Sequence, residues 1–305
     1  MFTLRQVQMF EAVARTGGYS KAAEELGVSQ PSVSVQVQEL EKELGVELFA
    51  RGGRRTQLTE VGASFYAKAV RILAAVEESV VVVDSYLGLE RGRLRIGAIE
   101  SVGLYLLPTV MSAYAAEHPG IEVELTIEST AEIASGLSSA RLEVGFGDVN
   151  FDADSPIESR RVVTTDFVVV TGRQHHLSLQ QKAESASLKG ESFIVEAEGS
   201  PSFRGLEWLA SGMEGATPTV AMQVTTCDAL KQMVRAHLGI AVTYRFCVDW
   251  EYTASQIHIL DITDLGGEQA LFAYTAKGMS LSPAADNFLG KALEMLPARS
   301  RQARR

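Results

Sequence analysis

The sequence predicts an α/β protein in three parts: an N-terminal winged helix-turn-helix, a long linker helix, and a two-lobed α/β domain filling the last two thirds. Three observations predict this. Short helical patterns punctuated by glycine crowd the first 50 residues. A single apolar stripe at helical spacing then extends from Val61 to Leu87. From Gly92 onward the period switches to alternating strand and helix patterns, twice over. At 305 residues the chain exceeds one ordinary domain. The expected boundaries are 1–59, 60–89 and 90–305, the last divided into lobe I (about 90–163 and 267–305) and lobe II (about 164–266).

Leu4, Val7, Phe10 and Ala14 recur at helical spacing and predict a first helix over roughly 3–15, stopped by Gly17 and Gly18. Ser20 is placed to cap a short second helix whose Ala22, Ala23 and Leu26 face inward, and Gly27 suits the left-handed residue that ends it. Ser29 then caps a third helix with Pro31 in its first turn, where a missing N–H costs little. Val33, Val37, Leu40 and Leu44 form its buried stripe. Its opposite face starts with Pro31, Ser34, Val35 and Gln38, with Gln30 on the flank.

Small uncharged side chains at the exposed start of a helix permit close approach to base edges, and a helix N-terminus favours phosphate. After this helix, "LFARGGRRTQLT" brings Arg51, Arg54 and Arg55 around a Gly52-Gly53 tip, with no acid between Glu47 and Glu60. Such a cation cluster suits DNA phosphates or a narrow minor groove and reads as a wing. Spacing alone also allows a small three-helix domain with a solvated basic loop.

The ordered elements Ala-Ala-x-x-Leu, Ser-Gln-Pro-x-Val-Ser, Leu-Glu-x-x-Leu-Gly, Leu-Phe-x-Arg-x-x-Arg and Leu-Thr-x-x-Gly run through "AAEELGVSQPSVSVQVQELEKELGVELFARGGRRTQLTEVG". Over these residues the chain resembles LysR-type transcriptional regulators. The resemblance implies that Gln30, Pro31 and Ser34 meet the major groove of double-stranded DNA and that Arg51 and Arg54 hold the wing on the backbone or minor groove. Val35 departs from the resembled pattern, which often has a basic or longer polar residue there. An apolar touch to a thymine methyl is the substitute open to valine.

Thr59 is placed to cap the linker helix over about 60–89, with Val61, Phe65, Ile72, Val76, Val80, Val83 and Leu87 at helical spacing. Taken alone the stripe fits an ordinary core helix, and its valine run also fits a strand. The resemblance implies a dimer-forming helix, hence two recognition helices on a pseudo-palindromic site. It further implies tetramers and contact with RNA polymerase at promoters.

In the last two thirds, Leu94, Ile96 and Ala98 alternate, Ser101 begins a helix, Ile121 to Ile127 alternate strictly, Ser129 or Thr130 caps a further helix, and "LEVGFG" is a third strand. A second run follows: "DFVVVTG", "SFIVEAEG", the helix "SFRGLEWLASG", "PTVAMQVT", a helix capped by Thr226, and "IAVTYR". Two such runs predict open, mainly parallel sheets, which bind ligands beyond the carboxyl ends of their strands. Ser101, Ser129 and Thr130 fall there in lobe I, and Ser200, Ser202 and Thr226 in lobe II, with Pro201 and Phe203 beside them. Hydroxyls at helix N-termini favour a small-molecule effector that is a carboxylate or other anion, although each serine alone reads as a cap. "RLRIGA", "YLLP", "HPGIEVEL" and "VRAHLGIAV" extend the resemblance, which implies a periplasmic-binding-protein-like effector domain. Glu143, in "LEVGFG", stands where the resembled family often has aspartate.

Composition is that of a soluble globular protein, 46% hydrophobic and 22% charged. The net charge of −10 is unevenly spread: residues 1–60 carry seven basic against eight acidic side chains, and 90–305 carry nineteen against twenty-seven. A DNA-binding first third is therefore compatible with an acidic whole. No apolar run reaches the length of a membrane span, and the charged N-terminus is unlike a signal peptide, so no membrane partner and a cytoplasmic location are expected.

There is no Gly-rich phosphate loop, no His-Glu-x-x-His and no Gly-x-Ser-x-Gly elbow, and His175 and His176 fall in a polar loop. No enzyme activity, metal or cofactor is expected. Two readings stand beside the effector-responsive regulator. One is a redox-responsive regulator using Cys227, at a helix N-terminus twenty residues from Cys247. The other is a solute-binding protein without DNA function.

Overall fold

The computed structural model describes residues 1–50, 56–86, 92–213, 215–266 and 268–302. The chain opens with α1 (Leu4–Thr16), α2 (Tyr19–Glu25) and α3 (Gln30–Leu44). Thr3 and Gln6 cap α1 reciprocally, and Gly17 ends it at φ 72°, a left-handed conformation that costs glycine little. The N-cap of α2 is Gly18, in extended conformation, and Ser20 lies inside the first turn. The expectation that Ser20 caps α2 is thus corrected: the Gly17-Gly18 turn redirects the chain early enough for the helix to start at Tyr19. Ser29 caps α3 by accepting the Ser32 N–H at 3.3 Å. Val7, Phe10, Val13, Ala22, Val33, Val37, Leu40 and Leu48 close the core between these helices.

After α3 an antiparallel bridge joins Phe49 to Leu58, and the Ala50 N–H donates to Gln57 O at 2.8 Å. Next comes α4 (Glu60–Tyr86), whose 27 residues span about 40 Å. Thr59 accepts the Gly62 N–H at 2.9 Å and so caps it. Gly62 is needed at this turn, since a Cβ there would lie 2.0 Å from the Leu48 carbonyl oxygen. Phe65 packs against Phe10, ring centroids 5.2 Å apart, seating the start of α4 on the first three helices. Val61 and Val76 are exposed, and residues 80–83, whose valines also fit a strand, are helical. Leu87 lies outside the described residues. Among the described residues no helix is long and apolar enough to cross a membrane.

Lobe I starts with β1 (Gly92–Ala98), α5 (Glu100–Tyr105), α6 (Leu107–Glu117), β2 (Ile121–Ile127), α7 (Thr130–Ser138), β3 (Val144–Gly147) and β4 (Ile157–Thr165). The single helix expected from Ser101 is two helices broken at Leu106. Pro108 explains the break: it has no N–H for the Leu104 carbonyl, and its ring would clash there. Through Asp166 the chain enters lobe II, made of β5 (Phe167–Gly172), β6 (Lys182–Ala183), β7 (Ser192–Val195), α8 (Pro201–Ser211), β8 (Thr219–Gln223), α9 (Cys227–Arg235), β9 (Ala241–Tyr244), α10 (Asp249–Thr253) and β10 (Ile257–Ile262). It returns to lobe I as β11 (Gln269–Ala276) and α11 (Pro283–Gln302).

The lobe I sheet has the order β2-β1-β3-β11-β4, with β1 parallel to β2 and β3, and β11 antiparallel to both its neighbours. In lobe II the order is β6-β10-β5-β9, and β5 is antiparallel to β10 and β9. The expectation of mainly parallel sheets therefore gives way to mixed pairing in both lobes: lobe I joins two parallel and two antiparallel ladders, and in lobe II β6 pairs with β10 and β7 with β8 in parallel beside the antiparallel β10-β5-β9 run. The reason is topological: the chain enters lobe II along β5 and leaves along β10, so these central strands run in opposite directions. One apolar cluster runs through both lobes, from Leu94, Ile96, Phe146 and Phe288 to Val168, Val170, Leu230 and Val242.

Candidate DNA-binding surface and inter-lobe cleft

The buried stripe of α3 (Val33, Val37, Leu40) turns its other face outward. Gln30, Pro31, Val35 and Gln38 are exposed, and Ser34 is half-buried. Val35 keeps 49% of its surface. No charged side chain stands in the first turn, so the outward groups there are amides, hydroxyls and aliphatic carbons. Arg51, Arg54 and Arg55 lie outside the described residues. Sequence reasoning missed Glu41, whose Oε1 accepts the Leu48 N–H at 2.7 Å and the Phe49 N–H at 3.1 Å. This carboxylate pins the chain entering the wing to the last turn of α3 and satisfies two backbone donors. Its signal was the acid of the Leu-Glu-x-x-Leu-Gly element.

Between the lobes, the structure brings together part of the expected effector set. Ser101 is the second residue of α5, only 4% exposed, and its Oγ has no hydrogen-bond partner among the described residues. Thr226 caps α9 by accepting the Ala229 N–H at 3.1 Å. Ser200 caps α8 through the Phe203 N–H at 3.2 Å, with Pro201 in the first turn and the Phe203 ring against the core. Ser202 is fully buried, where its Oγ accepts the Glu196 N–H at 2.8 Å. Ser129 forms a reciprocal box with Glu132, which commits its hydroxyl to a carboxylate at 2.6 Å, and Thr130 begins α7.

The direct contacts between lobes come from residues that sequence reasoning passed over. Glu100 Oε1 accepts the Cys227 N–H at 3.2 Å, so a carboxylate of lobe I sits at the N-terminus of α9 in lobe II. Beside it the Tyr105 hydroxyl donates to Asp228 at 2.5 Å, and Lys231 Nζ lies 4.3 Å above the Tyr105 ring. Lys231 is itself held by Glu251 at 2.6 Å and Asp228 at 3.0 Å. A second bridge joins Asp148, after β3, to Arg204 of α8 and to the Tyr244 hydroxyl, the latter at 3.0 Å.

Burial pushes the Glu100 carboxyl above its ordinary value, and repulsion from Asp228 adds to this against the Cys227 N–H. Burial likewise raises Glu196, with a contribution from Glu100 and opposition from the Ser202 hydrogen bond. For Arg204, burial is the largest influence and opposes the charge. Asp148 and Tyr244 together outweigh it, and the guanidinium is held above its usual value. Cys227 and Cys247 are both buried. Burial first, and Cys227 second, push the Cys247 thiol well up, which disfavours its thiolate.

Residues 4–63 match the bacterial regulatory helix-turn-helix protein profile of the lysR family, and residues 87–297 match the LysR substrate binding domain. The chain belongs to the LysR family. As a LysR-type chain it is a DNA-binding transcriptional regulator that responds to an effector. It is 32% identical to the RuBisCO operon transcriptional regulator of Allochromatium vinosum, covering 94% of each chain. It is also 30% identical to the HTH-type transcriptional regulator CbbR of Rhodospirillum rubrum, covering 93% of each. Among solved structures it is similar to a full-length OxyR variant from Pseudomonas aeruginosa (TM-score 0.77, 22% identity, 97% of this chain and 96% of that one). It is similar as well to full-length CbnR complexed with target DNA (TM-score 0.69, 22% identity, 96% and 99%). These two likenesses concern the fold: a helix-turn-helix joined to a two-lobed, periplasmic-binding-protein-like α/β domain.

Proposed function

We propose that α3 enters the major groove of a pseudo-palindromic promoter site with Gln30, Pro31, Ser34, Val35 and Gln38 toward the bases. Arg51, Arg54 and Arg55 take the flanking phosphates or minor groove. The observation that carries this reading is the uncharged, outward first turn of α3 over a closed three-helix core. Residues 1–59 form the DNA-binding unit, and α4, with Val61 and Val76 exposed, pairs two copies. The regulator works in the cytoplasm, performs no catalysis and contacts RNA polymerase at promoters. Because several relatives are named as RuBisCO transcriptional regulators, one of them of the RuBisCO operon, DNA upstream of such genes is the first target to assay.

The effector site lies between the lobes, within 90–305, near Ser101, Ser202 and Thr226. The α9 N-terminus there already holds an anion, the Glu100 carboxylate. A small effector carboxylate takes that place by displacing Glu100, loosening one of the two inter-lobe bridges and changing the spacing of the DNA-binding units. Cys227, the residue that redox sensing would use, is only 3% exposed, which favours this reading over redox sensing.

Selection of bound fragments from the parent genome at fixed salt, with Arg54→Ala as control, tests the DNA reading. A two-fold-symmetric site recovered by the chain and lost in the control supports it. Equal recovery by the control removes the role given to the wing.

A further inference from the structure

At the end of lobe II remote from the Asp166 junction lies a side-chain cluster that the regulatory reading does not use. β5 runs from Phe167 beside that junction to Gly172, roughly 17 Å at 3.3 Å per residue, and His175 and His176 follow it. In sequence they read as a solvated pair. In the fold, Glu191 comes to them from the residue before β7, and its carboxylate faces both rings. Glu191 Oε2 is 3.4 Å from His175 Nε2, and Oε1 is 3.1 Å from His176 Nε2. One donor atom from each of the three residues lies within 4.8 Å of the others. The imidazoles stand side by side, ring centroids 4.5 Å apart and planes inclined by 32°.

The geometry points to a site for one first-row divalent transition-metal ion, of the zinc or nickel kind, held by His175, His176 and Glu191. Around a tetrahedral ion with bonds of about 2.0–2.1 Å, neighbouring donor atoms are roughly 3.3 Å apart. The observed nitrogen–oxygen separations bracket that value. Two imidazole nitrogens and one carboxylate suit zinc, nickel, cobalt or copper, whereas calcium and magnesium want oxygen throughout. The Glu191 and His175 side chains are 17% and 19% exposed, so they are largely fixed, while His176 is 67% exposed and leaves an open approach and a coordination position for water.

A second observation concerns placement. The chain has five histidines, and three of them meet at this corner. The His237 ring packs so closely on Gly172 that a Cβ there would lie 2.3 Å from its Nδ1, and the Gly172 carbonyl accepts the His175 N–H at 3.0 Å. His237 thus supports, from behind, the turn that presents the histidine pair. On binding, the ion takes the Nε2 lone pair of each ring: a neutral ring with its proton there moves it to Nδ1 through solvent with no net release, and a doubly protonated ring releases one proton to solvent. The His175 Nδ1 then carries the ring proton and gives up its 3.4 Å contact with the Leu177 N–H.

The test uses tag-free, chelator-treated full-length protein titrated with zinc chloride against a chromophoric chelator. One equivalent is expected, weakened at least about tenfold in each of His175→Ala, His176→Ala and Glu191→Gln, and unchanged in His118→Ala. Because His176 is exposed, its variant keeps the fold, which circular dichroism checks. Cobalt substitution separates this site from the Cys227–Cys247 pair: visible d–d bands without a near-ultraviolet thiolate band are expected. The proposal is overturned if His176→Ala and Glu191→Gln bind zinc as the parent does, if the parent binds no stoichiometric ion, or if the cobalt spectrum shows thiolate.

Discussion

Removing Arg204 should loosen the closed arrangement of the lobes by an amount the structure lets one work out. The Asp148 side chain is only 2% exposed, and its partners across the cleft are the Arg204 guanidinium and the Tyr244 hydroxyl at 3.0 Å. Burial holds the Tyr244 pKa far above its ordinary value, so the hydroxyl remains a donor at any working pH. Removing one partner of a buried pair typically costs about 3–5 kcal/mol, because the other charge stays behind. Arg204 is 32% exposed, and water screens part of this, so about 2–3 kcal/mol is the expected loss for Arg204→Ala. For a domain of this size that lowers the unfolding midpoint by roughly 4–12 °C.

Asp148→Asn keeps an acceptor for Tyr244 and should lose about 1–2 kcal/mol. The double variant should lose less than the sum, leaving a coupling of about 1.5–3 kcal/mol. Urea unfolding of the four proteins, read on the transition of the effector-binding domain because the chain is multidomain, measures the cycle. Losses that add to within about 0.5 kcal/mol would refute the reasoning, since independent sites behave that way.

Other expectations follow from the same contacts. Ser29→Ala should lower the stability of the N-terminal unit by about 1 kcal/mol and Ser29→Gly by only a few tenths, read from its thermal transition, and equal losses would count against the cap. Glu196 titrates above its ordinary value when folded, so the folded state keeps a proton that the unfolded state releases. Stability should therefore fall as pH rises from the ordinary carboxylate value of 4.5 through the raised one, and Glu196→Gln should flatten that fall. Parallel pH profiles for the two proteins would sink this. Glu100→Ala should tighten binding of any small carboxylate that competes for the Cys227 N–H, measured by thermal shift across a carboxylate panel, and an unchanged affinity would place the effector elsewhere.

The parts legible in the sequence were those set by local rules. Ser29 and Pro31 start α3 because a cap and a first-turn proline act within a few residues of the helix end. Thr59, Ser129 and Thr226 were legible for the same reason. What escaped depends on residues far apart in the chain. Glu100 meets Cys227 across 127 positions and Asp148 meets Arg204 across 56, and neither carboxylate has a local signature. Three of the six hydroxyls picked for the effector, Ser129, Ser200 and Thr226, are committed to capping their own helices, and the acids carry much of the cleft's chemistry. Lobe II misled because alternating patterns cannot state strand direction, which the paired entry and exit along β5 and β10 decide. The break at Leu106 was readable from Pro108, but the long apolar run hid it.

The exposed start of α3 is proposed to read DNA. The direct measurement is the affinity of the chain and of its Gln30→Ala/Ser34→Ala variant for a site recovered from the parent genome, at two salt concentrations. The variant is expected to keep its fold and its salt-dependent binding to unrelated DNA while losing about 1–3 kcal/mol of preference for the site. A folded variant that prefers the site as strongly as the parent would contradict it.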